Sequence, residues 1–326
     1  MAVTAGLPAR PGALRAGVAL ALASAASFGS SGAMAKALIE TGWTSGSAVL
    51  VRLGGAAVVL TIAAVVSQRG RVRLRAASVR TLITYGVVAM AGTQLAFFNA
   101  VRTLDVGVAL LLEFLAPVLL LAWTSLRTRT LPRSLTLAGA GLTIVGLAFV
   151  IEVWDATSVD PVGVGWGLLA ALGLCGFFIL SSRQQDDLPP MVMAAGGTAV
   201  GAVVIALAGV VGVVPLSFAA EDAVLAGTTV SWVVPAAWLV LISTVVAYVT
   251  GIRAILRLGT RMASFVALTE VLFAVLVAWV LLAELPGPAQ LVGGLLIVAG
   301  ILIVQRDDVG PSTPDPPAAV EASHPV

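Results

Sequence analysis

The chain has 326 residues, of which 59% are hydrophobic and 10% charged, and its mean hydropathy is +1.07. No water-soluble domain of ordinary composition carries so little charge. At about 20 apolar residues per helical crossing the length is taken up by roughly ten spans, which excludes a soluble catalytic or nucleotide-binding domain. The balance of eighteen basic against sixteen acidic residues gives no reason to expect nucleic acid as a partner, and membrane lipid is the expected surrounding.

In chain order, apolar runs bounded by charge, Gly/Pro or tryptophan fall at residues 16–38, 47–67, 81–101, 106–126 and 135–151, then at 163–182, 190–214, 231–252, 262–283 and 287–305. Each is continuous and about twice the length of a barrel strand, without its alternation, so the expected fold is all-α with ten transmembrane helices. Residues 16–38 follow Arg10 and Arg15 but are too long for the apolar core of a signal peptide, and an uncleaved first span is expected. The connections at 102–105 and 284–286 are short enough to make their neighbours antiparallel hairpins.

Arginine sets the orientation. Arg10, Arg15, Arg69, Arg71, Arg73, Arg75, Arg80, Arg127, Arg129, Arg133, Arg183, Arg253, Arg257, Arg261 and Arg306 fall on one side, opposed by Arg102. Both termini are therefore predicted to be cytoplasmic, in a bacterial inner membrane. The other side collects Glu40, Asp105, Glu152, Asp155, Asp160, Glu221, Asp222 and Glu284, with Trp43, Trp154, Trp166 and Trp232 as an interfacial belt.

Cofactor chemistry finds no support. Lys36, the single lysine, has no Gly-rich phosphate loop before it. Cys175 is alone in an apolar run and reads as a small buried hydrophobe, and His324, the one histidine, lies in a Pro-rich tail. No metal site, cofactor or enzymatic set is expected.

Placing residues 100–150 over 254–304 requires no gap. Ala100/Ala254, Leu104/Leu258, Leu131-Pro132/Leu285-Pro286, Gly139/Gly293, Gly146/Gly300 and Val150/Val304 then coincide. Earlier spans agree at a different offset, where Gly29 meets Gly176 and Lys36 meets Arg183. This reads as a duplication of a five-span unit. Because five is odd, the second copy enters the membrane upside down, an arrangement that places substrate at the repeat interface in transporters. The expected organisation is an N-terminal cytoplasmic segment 1–15, repeats at 16–152 and 163–305, and a disordered tail 306–326.

The stretch Ala263-Ser264 to Leu268-Thr269-Glu270, then Leu281-Leu282-Ala283-Glu284-Leu285-Pro286, Gln290-Leu291-Val292-Gly293-Gly294 and Ala299-Gly300 resembles the end of an EamA domain of the drug/metabolite transporter superfamily. The first half has the paired pattern Ala109, Pro117, Leu131-Pro132, Gly139 and Gly146. Where that family carries Glu-Pro in the penultimate helix of each repeat, this chain has Glu270-Val271 in one half and Ala116-Pro117 in the other. The segments Ser31–Lys36 and Ala109–Pro117 are similar to the threonine/homoserine exporter branch, which implies outward transport of small amino acids and related metabolites.

Four ionisable residues fall inside spans: Lys36, Arg52, Glu113 and Glu270. A central charge costs about 2.5–3.5 kcal/mol even on mild insertion scales, so each needs a partner, water or a route to the interface. In repeat register Glu270 corresponds to Ala116, three residues beyond Glu113 and on nearly the same helical face. Both carboxylates are thus expected to face a shared central pocket, taking a substrate ammonium while Lys36 and Arg52 take its carboxylate. The competing readings are snorkelling for Lys36, an outer ion pair with Glu40 or Glu113 for Arg52, and helix packing for Glu270. Gln94, Asn99 and Tyr248 are candidate lining residues or interhelical hydrogen bonders. Pro117 is a candidate hinge or a static kink, and the glycines at 139, 141, 146, 293, 294 and 300 are read as packing sites on spans 5 and 10. The expected activity is a secondary transporter exporting a small-molecule substrate. The alternatives are an organic-cation efflux protein and a non-transporting scaffold.

Overall fold

The computed structural model describes residues 11–68, 76–129, 133–152, 154, 160–181 and 188–307. The predicted N-terminal segment lies mostly, and the tail after Asp307 entirely, outside the described residues, as do Leu131-Pro132, Asp155 and Arg183.

The helices are α1 Pro11–Glu40, α2 Ser45–Gln68, α3 Ala76–Tyr85, α4 Thr93–Ala100, α5 Val106–Glu113, α6 Ala116–Thr128, α7 Ser134–Val150, α8 Pro161–Ser181 and α9 Pro190–Val210. After a hairpin of β1 Ala223–Leu225 and β2 Thr228–Val230 come α10 Val233–Val240, α11 Ala247–Ala267, α12 Thr269–Leu282 and α13 Pro288–Asp307. Two π-helical segments are inserted, Gly86–Gly92 between α3 and α4 and Leu241–Val246 between α10 and α11.

Among the described residues, seven helical stretches are long and apolar enough to cross a membrane: Leu14–Glu40, Ser45–Ser67, Ser78–Ala100, Val106–Thr128, Pro161–Leu180, Pro190–Val210 and Val233–Leu258. The spans expected at 135–151, 262–283 and 287–305 correspond to shorter apolar helices, Ser134–Val150, Thr269–Leu282 and Pro288–Val304.

Three other expectations change. The connection anticipated between residues 252 and 262 lies within α11, where Arg253 and Arg257 are exposed one turn apart on a helix rather than in a loop. The antiparallel hairpin was not anticipated. Its strands of three residues, closed by Ala226 (φ 52°) and Gly227 (φ 72°), are too short for a periodic signal. Trp43 faces protein rather than lipid: it is buried, donates from Nε1 to Ala219 O (2.7 Å) and packs on Phe218 and Trp232. The hairpin lies across the ends of α1 and α12, with Ala226 N–H donating to Leu281 O at 2.8 Å. A cavity of about 390 Å³ there is lined by Glu40, Val224, Ala226, Gly227 and the last turn of α12.

The interior is built from small residues, because helices in lipid gain by close backbone approach rather than by burying apolar surface. A Cβ on Gly146 would stand 2.7 Å from Gly293 O, and one on Gly139 would stand 2.8 Å from Gly300 O. The helices α7 and α13 therefore cross antiparallel, each supplying two glycines to the other's backbone. Gly294 faces Leu111 instead, and Gly141 has no atom within 4 Å, so it is not a packing site. Ser24 bonds Ala247 O (2.8 Å) and Ser30 bonds Ser243 Oγ (2.8 Å), tying α1 to the region around the second π segment. Cys175 is buried, as expected.

Three irregularities recur in the register that places residue 100 on residue 254. The π segments end at Gly92 and Val246, helical continuity breaks at Phe114–Leu115 and at Leu268, and left-handed caps fall at Arg129 (φ 54°) and Ala283 (φ 58°). The backbone thus carries the repeat into spans where side-chain identity is weak. The first break has a cause in Pro117, which offers no N–H to the Glu113 carbonyl and crowds it. At the second, the Thr269 hydroxyl bonds Val266 O at 2.6 Å, and Val271 N–H reaches Leu268 O at 3.3 Å instead of the carbonyl four residues back.

At the start of α8, Asp160 accepts from the Thr103 side chain and from Val162 N–H (3.1 Å), which holds its carboxyl below the ordinary aspartate range. A depressed value means stability that is present above the unfolded-state value and lost as pH falls through the folded-state one. Asp160→Ala should therefore lower the thermal midpoint at neutral pH, with the difference from wild type vanishing on acidification. Thermal melts across pH test this, and a pH-independent difference would contradict it.

Candidate functional site

Arg52 organises the centre of the molecule. It is 3% exposed, one turn before Gly55, whose missing side chain lets α2 lie against Val240 of α10 (2.6 Å from a built Cβ). That contact aims the guanidinium at the second π segment. Nε donates to Thr244 Oγ1 (3.0 Å), Nη1 to Gln94 Oε1 (2.6 Å) and Nη2 to Ser243 O (3.4 Å), while the group lies 5.5 Å from the Phe98 ring centroid. Both π segments border this network, since Gln94 follows the first by two residues and Ser243 and Thr244 belong to the second. Extra residues in π turns free backbone carbonyls from the α pattern, and Ser243 O is used in this way.

The two carboxylates sit at the equivalent helix breaks. Glu113 is the last residue of α5, and Glu270 is the second residue of α12. Gly29 permits this placement, because a Cβ there would lie 2.7 Å from Glu270 O, so α1 rests directly on the first turn of α12. The peptide dipoles favour a negative charge at Glu270, at a helix N-terminus, and oppose one at Glu113, at a helix C-terminus. Arg52 is in electrostatic reach of Glu113, Glu270 and Tyr248, and the carboxylates are in reach of each other. Glu113 is 9% exposed and Glu270 is half-buried. Among the described residues, no side chain or backbone group hydrogen-bonds either carboxylate.

Tyr248 donates to Met90 Sδ (3.3 Å), stacks edge-on against Phe28 (5.1 Å) and hydrogen-bonds Tyr85, so the chain's only two tyrosines meet here. Arg52, Gln94, Glu113, Tyr248 and Glu270 are thus brought together, whereas three other candidates are not. Lys36 pairs with Glu284 and donates to Leu104 O (3.1 Å), away from the cluster. Asn99 spends its amide on Leu95 O of its own helix (2.8 Å). Pro117 is the second residue of α6, where it accounts for the break after Glu113 and contributes no side-chain hydrogen bond to the cluster. Ser243, Thr244, Tyr85, Met90 and Phe98 escaped sequence reasoning. Thr244 and Ser243 were the legible ones, as adjacent hydroxyls in an apolar run. No group of three or more His, Cys, Asp or Glu suited to a metal occurs among the described residues.

Residues 15–152 and 161–306 each match the EamA-like transporter family. The chain belongs to that family. This EamA-like protein is a multi-pass membrane transporter built from two repeats. It is 23% identical over 229 residues, 70% of its own length and 73% of the relative's, to an uncharacterized inner membrane transporter, YicL, of Salmonella typhimurium. It also shares its fold with a crystal structure described only as that of a protein, at a TM-score of 0.55 and 19% identity, covering 90% of this chain and 98% of the other.

Proposed function

We propose that this EamA-like chain exports small metabolites bearing an amino group, amino acids and related zwitterions among them, across the inner membrane. It works by alternating access between two inverted five-helix repeats, with ten crossings and both termini in the cytoplasm. The observation that carries the reading is the Glu113 carboxylate, nine-tenths buried and without a hydrogen-bond donor among the described residues. A buried acceptor without a partner is costly to leave so, and a cationic donor arriving from outside the protein satisfies it. Glu270, at the same break of the second repeat, supplies the second acceptor.

One arginine against two carboxylates leaves a single negative charge, which a substrate ammonium or a proton neutralises; the same carboxylates therefore serve for proton coupling. Arg52 has five N–H donors, of which three are committed, and the remaining two would meet a substrate carboxylate. The antiparallel crossing of α7 and α13 supports the inversion, because these helices are repeat equivalents that run in opposite directions. Resemblance of Ser31–Lys36 and Ala109–Pro117 to threonine/homoserine exporters supports the amino-acid reading.

A second reading, organic-cation efflux, is favoured by the aromatic setting of Phe28, Tyr248 and Phe98 around an arginine already largely engaged. Comparing flux of an amino acid with that of its decarboxylated amine separates the two. Glu113→Gln and Glu270→Gln should fold normally yet transport at least about a hundredfold more slowly in proteoliposomes, the loss typical of an interaction worth about 3 kcal/mol. Wild-type flux from both variants would overturn the proposal.

A further inference from the structure

We infer that Lys36 and Glu284 form a latch that closes the outer mouth of the substrate path in the resting state, so that the transporter waits open to the side of its termini. The inference rests on the inverted-repeat reading above. Lys36 belongs to the first helix of the first repeat and Glu284 to the last connection of the second, so their ion pair spans the two halves. Each partner is anchored again. Lys36 Nζ donates to Leu104 O at 3.1 Å, and Glu284 Oε2 accepts from Val106 N–H, the first amide of α5, at 3.0 Å. The left-handed Ala283 turns the chain out of α12 so that Glu284 N–H caps Ala278 O (3.3 Å), which fixes the carboxylate over α5. The paired side chains are 15% and 13% exposed, and such partial burial strengthens a charge pair relative to one in open water. Helix α5 runs from this latch directly to Glu113, so opening the latch frees the end of the helix that carries the buried carboxylate.

The residues of the latch are not repeated in the sequence of the other half. In repeat register Leu131-Pro132 falls on Leu285-Pro286, which sets Thr130 opposite Glu284, while Lys36 falls on Arg183. In sequence, the register gives the other repeat a basic residue but no acid at the corresponding position. The closed ion pair biases the resting state toward loading from the side of the termini. That is the bias an exporter needs, and it assigns Glu284 a positioning role that its exposed-looking sequence context concealed.

The test is accessibility from outside. Asn99, between the site residue Gln94 and the latch residue Leu104 along the chain, is replaced by cysteine in a Cys175→Ser background. Right-side-out vesicles are then exposed to a membrane-impermeant maleimide. Labelling should be slow in this parent and at least fivefold faster in Glu284→Gln, which keeps an acceptor for Val106 N–H, and in Lys36→Met, which keeps Glu284 itself. Lys36→Arg should label as slowly as the parent, and the double variant Lys36→Met/Glu284→Gln should label no faster than the quicker single. Unchanged labelling in both single variants, or additive acceleration in the double one, overturns the latch. Labelling that responds as expected in a protein without flux would instead sink the transport reading and leave the latch standing, whereas flux with unresponsive labelling does the reverse.

Discussion

Gly146→Leu is expected to cost about 3 kcal/mol of stability or more, the upper end of what overpacking a well-filled interior does. The new Cβ would stand 2.7 Å from Gly293 O and 2.8 Å from Ile297 N, both backbone atoms that cannot swing aside. Relief requires α7 and α13 to separate along their whole crossing. Gly293→Leu should do the same, since its Cβ would meet Gly146 O at 2.6 Å. Gly141→Leu is the control. With no atom within 4 Å of its Cβ it should be neutral or slightly stabilising, because leucine favours a helix over glycine by somewhat under about 1 kcal/mol. Thermal melts of the three purified variants in one detergent decide the matter, and equal midpoints for Gly146→Leu and Gly141→Leu would refute the account of the crossing.

Arg52→Lys is expected to be nearly as damaging as Arg52→Met, although it keeps the charge. The guanidinium reaches Gln94 on α4 and Thr244 and Ser243 O in the second π segment at once, whereas a lysine ammonium on a flexible stem matches at most part of that fork. Two lost hydrogen bonds to a charged group correspond to about 3 kcal/mol or more. Flux should fall at least a hundredfold, because Glu113 and Glu270 lose the fixed positive neighbour that holds their charge in place. Arg52→Met removes all three of these hydrogen bonds together with the positive charge in electrostatic reach of Glu113 and Glu270. A lysine variant with wild-type melting and flux would reduce Arg52 to a point charge.

The carboxylates were legible from sequence because an acid in an apolar run is conspicuous and expensive, and because the repeat register put Glu113 and Glu270 on one face of equivalent helices. Four of the six glycines marked for packing, 139, 146, 293 and 300, meet at one crossing for the same reason: a duplicated sequence repeats its contacts. Lys36 was harder. Its partner Glu284 is remote in the chain, and a lysine near the end of a span reads equally well as snorkelling until the helices are assembled. The π segments carry no compositional mark, since Val, Ala, Met, Ser and Thr serve α and π turns alike, yet they decide which carbonyl meets Arg52. Thr244 was therefore legible as a hydroxyl in an apolar run, but its pairing with the arginine was not. Arg253 and Arg257 misled because arginines one turn apart look the same in a loop and on an exposed helical surface.

The glycine crossing constrains how the two halves can move. With the backbones of α7 and α13 already in contact, there is no shorter spacing to adopt, and sliding along the helix axes would drive Ile297 or Phe149 into the opposite backbone. What remains is a change of angle. On the proposed alternating-access cycle the pair serves as a pivot, and an excursion that exposes Arg52 and its neighbours to one face of the bilayer tilts the halves about this point, with travel smallest here and greatest at the far ends of the longer helices.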